Sequence, residues 1–275
     1  MPSNALYTVP DMQSPLAIVM AAGKGTRMKS DLPKVLVPVL GRPMIHYVID
    51  ALKEAGIARI LVVVGYKAED VQASLAGFPG VEFVHQGEPL GTGHAVKSCL
   101  PQIEAHDGPV VVVTGDSPLT QSSSVARLVA EAALLRCACL LGSGYAENPF
   151  GLGRIVRDQN KRFLKIVEEK DATPEERAIT EVNLSTYVFD AKDLAEFLKQ
   201  MGPSPATGEY YVSDAPRYLL SVGKDVHALD VLLRSPEGAK LAVVAVTHPG
   251  GAEREMPGVA DFVSIQALES ELGMR

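Results

Sequence analysis

Short runs of Val, Ile and Leu that are apolar at every position limit the folds open to this chain most strongly. Two of them are Ile60–Val64 and Val110–Val113. A strand without a polar face must be covered on both sides, as happens in a parallel sheet between two layers of helices. Such runs alternate with helical stretches in the first half of the chain, for example a helix over 44–55 that Gly56 ends. The sequence therefore predicts an α/β fold with a doubly wound, mostly parallel open sheet.

The remaining elements follow from the same patterns. Strands are expected at 16–20, 59–64, 81–84, 110–114, 137–141, 153–157, 183–189, 226–232 and 241–246. Further helices are expected at 94–100 and 261–272. No internal repeat divides the 275 residues. We expect a loose arm over 1–15 and a single domain over 16–275, with halves at about 16–120 and 121–275.

Charge and cysteine content exclude several classes of function. A net charge of -7 and a pI near 5.4 argue against binding to nucleic acid or to an anionic membrane, because both need a basic face. The absence of a leader pattern and of a long apolar run predicts a cytoplasmic protein. The three cysteines, Cys99, Cys137 and Cys139, are expected to be buried thiols, the last two on one face of a strand.

A Gly-rich turn directly follows the first predicted strand. The segment Met20–Met28 reads Met-Ala-Ala-Gly-Lys-Gly-Thr-Arg-Met, and a Leu-Pro-Lys triplet ends at Lys34. Glycines at the carboxyl end of a strand let backbone N–H groups approach phosphate oxygens, here at Gly23 and Gly25. Arg27 and Lys34 supply the cationic side chains that a triphosphate requires. The turn is therefore a candidate site for a nucleotide.

Two commoner phosphate motifs do not fit this turn. A Walker loop needs Gly-Lys-Ser/Thr after a four-residue gap from an earlier glycine, and Gly23-Lys24-Gly25 does not provide it. The dinucleotide fingerprint needs a glycine or alanine where this chain has Met28, which disfavours a dehydrogenase.

The turn resembles the signature of the sugar-nucleotide pyrophosphorylases, Leu-Ala-Ala-Gly-x-Gly-Thr-Arg-Met followed by Leu-Pro-Lys, with Met20 in place of the usual Leu. The resemblance extends over roughly 16–270. It implies a Rossmann-like nucleotidyltransferase fold, and it places the nucleotide on Met20, Ala21, Ala22, Gly23, Gly25 and Lys34.

The next segments resemble the uridylyltransferase members of that family. Gln86 with Leu90–Ala95 is similar to their nucleobase-binding segment, which implies nucleotide contacts from Gln86, Gly91 and Thr92. A Gln amide offers both a donor and an acceptor to a pyrimidine edge. A simple Gly-rich loop that opens a helix is the alternative.

Asp116 lies in the segment Thr114–Leu119, at the carboxyl end of a predicted central strand. Mg²⁺ binds proteins through one or two carboxylates, together with substrate phosphates and water. The resemblance assigns this role to Asp116, and an N-capping aspartate is the alternative.

Three later segments match, in order, those that surround the sugar in the family. They are Gly151–Val156, Ile166–Ala172 and Glu181–Asn183. The resemblance implies that Gly153, Glu168 and Asn183 bind the sugar. A further stretch, Gly208–Asp214, is also typical of the uridylyltransferases.

Two positions depart from the family pattern. Leu184-Ser185 stands where Thr or Ser and then Gly are usual, which puts a larger side chain near the expected sugar. Ala260 stands where an Asn usually helps to hold the metal, and Ala cannot ligate.

The resemblance as a whole implies a Mg²⁺-dependent enzyme that forms UDP-N-acetylglucosamine and pyrophosphate from UTP and N-acetylglucosamine 1-phosphate. Arg27, Lys34 and Asp116 would be the catalytic residues. No acetyltransferase domain, the second half of the bifunctional relatives, is expected in the 275 residues. The alternatives are a pyrophosphorylase for another sugar phosphate or nucleotide, and a nucleotide-sugar-binding protein impaired by Ala260. The oligomeric state stays open.

Overall fold

A computed structural model describes residues 14–25, 31–204 and 207–231. Nine of its strands form one sheet, and two short strands pair separately. The strands are β1 (Leu16–Met20), β2 (Pro38–Val39), β3 (Arg42–Pro43), β4 (Arg59–Val64), β5 (Val81–His85), β6 (Pro109–Thr114), β7 (Cys139–Tyr145), β8 (Arg154–Arg157), β9 (Phe163–Val167), β10 (Glu181–Asp190) and β11 (Val226–Asp230).

Helices cover the sheet and are mostly short. They are α1 (Met44–Glu54), α2 (Ala68–Leu75), α3 (Thr92–Lys97), α4 (Leu100–Glu104), α5 (Ser122–Leu135), α6 (Pro174–Arg177), α7 (Ala191–Gln200) and α8 (Ala215–Ser221). Single 3-10 turns lie at Lys34–Leu36 and Val212–Asp214. No helix in the described part of the chain is long and apolar enough to cross a membrane.

The strand order is β11-β7-β10-β6-β1-β4-β5, and the β8–β9 hairpin joins the sheet through β10. β1 pairs in parallel with both β4 and β6, and β5 and β11 pair in parallel with β4 and β7. β10 runs antiparallel between β6 and β7. The mostly parallel open sheet that the sequence predicts is confirmed.

The alternation of side chains along β1 shows how the two faces are filled. Leu16, Ile18 and Met20 pack in a core on one face of the sheet, and Ala17 and Val19 pack in a second core on the other face. All five are buried. Burial of one aliphatic side chain contributes about 1.5–3 kcal/mol, so a strand with two apolar faces is stable only between helical layers.

Two expectations about element positions are corrected. Cys137 and Cys139 are buried, but they pack in cores on opposite faces of the sheet, because β7 begins at Cys139 and Cys137 precedes it. The helix expected over 94–100 is two helices, α3 and α4, with Pro101 in the first turn of α4. The strand expected at 241–246, the helix at 261–272 and most of the arm over 1–15 lie outside the described residues.

Candidate active site

The turn after β1 is held by the loops that follow the neighbouring strands. The Gly115 N–H donates to the Met20 carbonyl (2.9 Å), and the Ala21 N–H donates to the Val63 carbonyl (2.9 Å). The Ala22 carbonyl accepts from the Tyr66 N–H (3.1 Å). These hydrogen bonds fix the backbone of the turn beside the carboxyl ends of β4 and β6, where open α/β sheets bind ligands.

Gly25 brings Lys34 close to this turn. Gly25 has a φ of +63°, and a Cβ built on it would lie 2.7 Å from the Cβ of Lys34. Only glycine allows this approach without displacing Lys34. Gly23 faces open space. Arg27 lies outside the described residues, so its expected role stays a prediction.

Lys34 and Asp116 come together across the turn as an ion pair between Nζ and Oδ2. Lys34 begins the 3-10 turn, and Asp116 lies two residues beyond β6. Their side chains are 44% and 23% exposed, so both charges remain open to a ligand. Residues 82 positions apart in the chain thus form a pair of opposite charges beside the glycines, as a phosphate and metal site requires.

Gln86 lies buried at the end of β5, and its amide is oriented by the loop that follows. Its Nε2 contacts the Gly91 carbonyl (3.2 Å) and the His94 Nδ1 (3.1 Å). When Nε2 donates to both, the amide oxygen is the atom left to accept from a ligand. His94 is thereby the residue that orients Gln86.

Gly91 and Thr92 hold the segment Gly208–Asp214 against α3. Gly91 has a φ of +110°, and a Cβ there would lie 2.5 Å from the carbonyl oxygen of Tyr210. The Tyr210 N–H donates to the Leu90 carbonyl (2.8 Å), and the Val212 N–H donates to the Thr92 Oγ1 (3.2 Å). One lone pair of the Thr92 hydroxyl therefore accepts from Val212, and the second lone pair and the hydroxyl hydrogen are available to a nucleotide.

The three residues predicted to bind a sugar converge at the junction of β8, β9 and β10. The Asn183 N–H donates to the Gly153 carbonyl (2.8 Å). A Cβ on Gly153 would lie 3.5 Å from the Glu168 Oε2 and 3.6 Å from the Asn183 Cβ. Any side chain at position 153 would thus occupy the space between the other two groups.

The Asn183 amide is oriented by its own strand. Its Nδ2 donates to the Tyr187 hydroxyl (2.7 Å), and its Oδ1 accepts from the Ser185 N–H (3.1 Å). Ser185 has a φ of +53° within a bulge of β10, the region where glycine is favoured. The second amide hydrogen and the second oxygen lone pair are the groups that a ligand could meet.

Glu168 is partly buried and accepts a hydrogen bond from the Ser213 hydroxyl, with 2.8 Å between Oγ and Oε1. Burial raises the pKa of this carboxyl, and the Ser213 hydrogen bond opposes the rise only in part. The neighbouring Asp214 and Asp171 raise the pKa further. The carboxyl is therefore easier to protonate than an exposed glutamate.

A cavity of about 360 Å³ is lined by both Asp116 and Asn183, whereas Glu168 lines a separate cavity together with Ser213. Leu184 also lines it and packs against the core beneath α5. The volume falls within the range of small-molecule pockets. The structure thus brings Asp116, with its partner Lys34, and Asn183 to the same cavity.

A family model described as the MobA-like NTP transferase domain matches residues 17–178. The chain belongs to this family. The bifunctional protein GlmU of Lactobacillus delbrueckii subsp. bulgaricus is 45% identical over 211 residues, which cover 77% of this chain and 45% of that protein. GlmU of an Exiguobacterium strain is 43% identical over 259 residues, 94% of this chain and 53% of its own length. The chain spans about half the length of these curated relatives.

Solved structures share the fold of this NTP transferase domain. A UDP-glucose pyrophosphorylase complexed with UDP-glucose superposes with a TM-score of 0.65 at 18% identity, covering 79% of this chain and 91% of the other. A Bacillus anthracis protein described as a glucose-1-phosphate thymidylyltransferase gives a TM-score of 0.67 at 23% identity, with coverages of 79% and 87%. These matches confirm the predicted fold class, and the GlmU relatives confirm the resemblance to the sugar-nucleotide pyrophosphorylases.

Sequence reasoning missed several residues around the site. Ser213 lies within the resembling stretch Gly208–Asp214, but no local pattern shows that it bonds Glu168. Arg154 follows Gly153 directly, and nothing in its neighbours along the chain indicates that it is buried.

Proposed function

We propose that the chain catalyses the Mg²⁺-dependent formation of UDP-N-acetylglucosamine and pyrophosphate from UTP and N-acetylglucosamine 1-phosphate. The observation that carries the proposal is the Lys34–Asp116 pair beside the Gly23–Gly25 turn, joined through one cavity to Asn183. The pairing of a phosphate-type site with a polar sugar-type site supports transfer between two phosphorylated substrates. The division into a nucleotide half at about 16–120 and a sugar half at about 121–275 belongs to the same proposal.

The reaction requires little covalent help from the protein. An oxygen of the sugar 1-phosphate attacks the α-phosphorus of the triphosphate, a new P–O bond forms, and pyrophosphate leaves with the electrons of the broken P–O bond. The protein aligns the two phosphates and offsets their charge. The Lys34 ammonium would pair with phosphate oxygens, and the amides near Gly23 and Gly25 would donate to them.

The residues present fit a magnesium ion. Asp116 offers a partly exposed carboxylate at the edge of the sheet, next to the ammonium that would contact phosphate. The described residues hold no cluster of three or more ligating side chains, which suits an ion that takes most of its ligands from phosphates and water. Asp116 would hold the ion, and bound Mg²⁺ would supply charge neutralisation on the phosphates.

The geometry around Gln86 supports a uracil base. Its side-chain nitrogen faces Gly91 and His94, so its oxygen would accept from the N–H of uracil, and Gly91 would supply backbone groups at close range. Gly153, Glu168 and Asn183 would bind the sugar hydroxyls and the acetamide. Leu184 supplies an apolar side chain to the cavity that Asn183 shares.

Pyrophosphate release measured over a panel of substrates tests the proposal. The unaltered chain is given each of UTP, dTTP, CTP and GTP with N-acetylglucosamine 1-phosphate, glucosamine 1-phosphate and glucose 1-phosphate, with and without Mg²⁺. We expect Mg²⁺-stimulated release that is fastest for UTP with the N-acetylated sugar. A different preferred pair would correct the substrate. Tight binding of UDP-N-acetylglucosamine without any release would instead identify a binding protein.

The pH dependence of sugar binding follows from Glu168. Burial raises its pKa above the ordinary value of 4.5. As an acceptor for a sugar hydroxyl it must be ionised, so the KM for N-acetylglucosamine 1-phosphate should fall as pH rises from 4.5 through that raised pKa. In the free protein the same rise in pH costs stability, because folding favours the protonated form.

Steady-state kinetics from about pH 5 to 8 check this expectation. The Glu168→Gln variant retains the titration of the substrate phosphate, so the difference between the two profiles isolates Glu168. Parallel profiles in the two proteins would show that Glu168 does not titrate in contact with the sugar.

A further inference from the structure

Arg154 is a fully buried cation beside the proposed sugar site. It is 1% exposed and opens β8 directly after Gly153. Its Nη1 donates to the Leu152 carbonyl, and its Nη2 donates to the Glu169 Oε2 (2.6 Å) and more weakly to the Arg177 carbonyl (3.5 Å). One planar guanidinium therefore ties together the loop before β8, the turn after β9 and the end of α6.

Glu169 completes the same network from the other side. Its Oε2 also accepts from the Gly151 N–H (3.1 Å), and its Oε1 lies 3.4 Å from the Arg177 Nε. Partial burial raises the pKa of this carboxyl, but hydrogen bonds from Arg154 and Gly151 outweigh the effect and lower the pKa overall. The Glu169 carboxyl is thus ionised at neutral pH.

The network sits between two of the proposed sugar contacts. The network bonds Gly151 and Leu152, which precede Gly153, and it includes Arg154, which follows Gly153. Glu168 immediately precedes Glu169. A shift of the Arg154–Glu169 pair must therefore change the position of the Gly153 backbone relative to the Glu168 carboxylate.

A buried ion pair is weak evidence for a stabilising role, because desolvation offsets much of the attraction between its charges. The Arg154 Nε is buried and has no hydrogen-bond partner within the described residues. An unpaired buried donor is unfavourable. Stability alone therefore does not account for an arginine at this position, whereas a requirement for fixed loop geometry does.

We propose that Arg154 is a positioning residue, which holds the Gly153 backbone and the Glu168 carboxylate at the separation that the sugar 1-phosphate requires. Glu169 is its partner in this role. The inference rests on the proposed function, since it takes Gly153 and Glu168 as the sugar contacts. It adds a specific expectation: loss of the network weakens the sugar substrate and leaves the nucleotide unaffected.

The test compares Arg154→Lys with Arg157→Lys in the full chain. Arg157 is a matched control, because it lies on the same strand and pairs with a buried acid, Glu181 (2.6 Å), but makes no contact with the loop before β8 or with Glu169 in the described residues. We expect Arg154→Lys to raise the KM for N-acetylglucosamine 1-phosphate about 10-fold, since small misplacements in a site are costly. The KM for UTP should stay within about twofold, and in Arg157→Lys both values should stay within about twofold.

Glu169→Gln protects the test from a folding defect, because it keeps an acceptor for the buried Arg154 guanidinium, whereas Glu169→Ala leaves that cation without its counterion. Glu169→Ala should match Arg154→Lys, and Glu169→Gln should recover much of the affinity, because its amide oxygen still accepts from Gly151 and Arg154. Equal rises in both KM values, or no rise in either, would overturn the proposal.

Amide hydrogen exchange of peptides covering 150–156 and 165–172 gives a readout that is independent of activity. We expect faster exchange in both peptides of Arg154→Lys and no change in Arg157→Lys. Unchanged exchange in Arg154→Lys would also overturn the proposal. If the unaltered chain released no pyrophosphate from any substrate pair, the proposed function would fail, and the exchange comparison would still decide the role of Arg154.

Discussion

Replacement of Lys34 or Asp116 by alanine is expected to lower kcat for pyrophosphate release about 10²-fold or more. Lys34 would lose its contact with phosphate, and Asp116 would lose its contact with the metal. A single charged contact to a developing oxyanion in a site of this kind is worth about 3 kcal/mol. The two residues pair with each other, so both charges are held where the substrates would bind.

The same substitutions should leave the fold nearly intact. The side chains are 44% and 23% exposed, and pairs screened by solvent contribute only about 0–1 kcal/mol to stability. Kinetic assays and thermal unfolding of each variant separate the two effects. Lys199 and Glu104, an exposed ion pair between α7 and α4, are the matched control, and alanine there should change neither measurement much. Near-normal turnover of both site variants would refute the catalytic assignment.

Gly91→Ala is expected to destabilise the protein by about 3 kcal/mol and to impair use of UTP. The backbone conformation of Gly91, with φ at +110° and ψ at 177°, is nearly exclusive to glycine, and forcing another residue into it costs about 1–3 kcal/mol. A Cβ would also lie 2.5 Å from the Tyr210 carbonyl oxygen, which is backbone and cannot move alone. The clash would separate the segment Gly208–Asp214 from α3.

Gly87→Ala is the matched control for this prediction. Gly87 lies in the same loop next to Gln86, and a Cβ built there meets no heavy atom within 4 Å. We expect its stability to change by less than about 0.5 kcal/mol. Denaturant unfolding and the KM for UTP measure both variants. Equal effects of the two substitutions would show that the contact with Tyr210 is unimportant.

Much of the fold could be predicted from the local pattern of apolar residues along the sequence. Runs such as Ile60–Val64 are apolar at every position, and only a sheet covered on both faces buries them fully. The edge that carries the candidate site could be predicted too. The turn after β1 and Asp116 both follow parallel strands, whose carboxyl ends lie together. The Lys34–Asp116 contact agrees with that expectation.

Other features depend on contacts between segments that are distant along the chain. The Thr92 hydroxyl accepts from Val212, 120 residues away, and Ser213 bonds Glu168 across 45 residues. No local periodicity encodes which loops meet, since that is set by strand order and by the packing of whole elements. The roles of Thr92 and Ser213 therefore emerge only after folding.

Arg154 and the cysteines show most clearly which features cannot be predicted from local sequence. An arginine beside a glycine loop is expected to be exposed, yet Arg154 is buried, because the turn after β9 and the end of α6 enclose it with partners for its charge. Cys137 and Cys139 alternate in sequence, yet they face opposite cores, because β7 begins at Cys139. The side-chain pattern along the chain determined the layered sheet and the edge that carries the candidate site. Tertiary packing alone decided which side chains are enclosed there and which partners hold them, because burial and ion pairing depend on segments far apart in sequence.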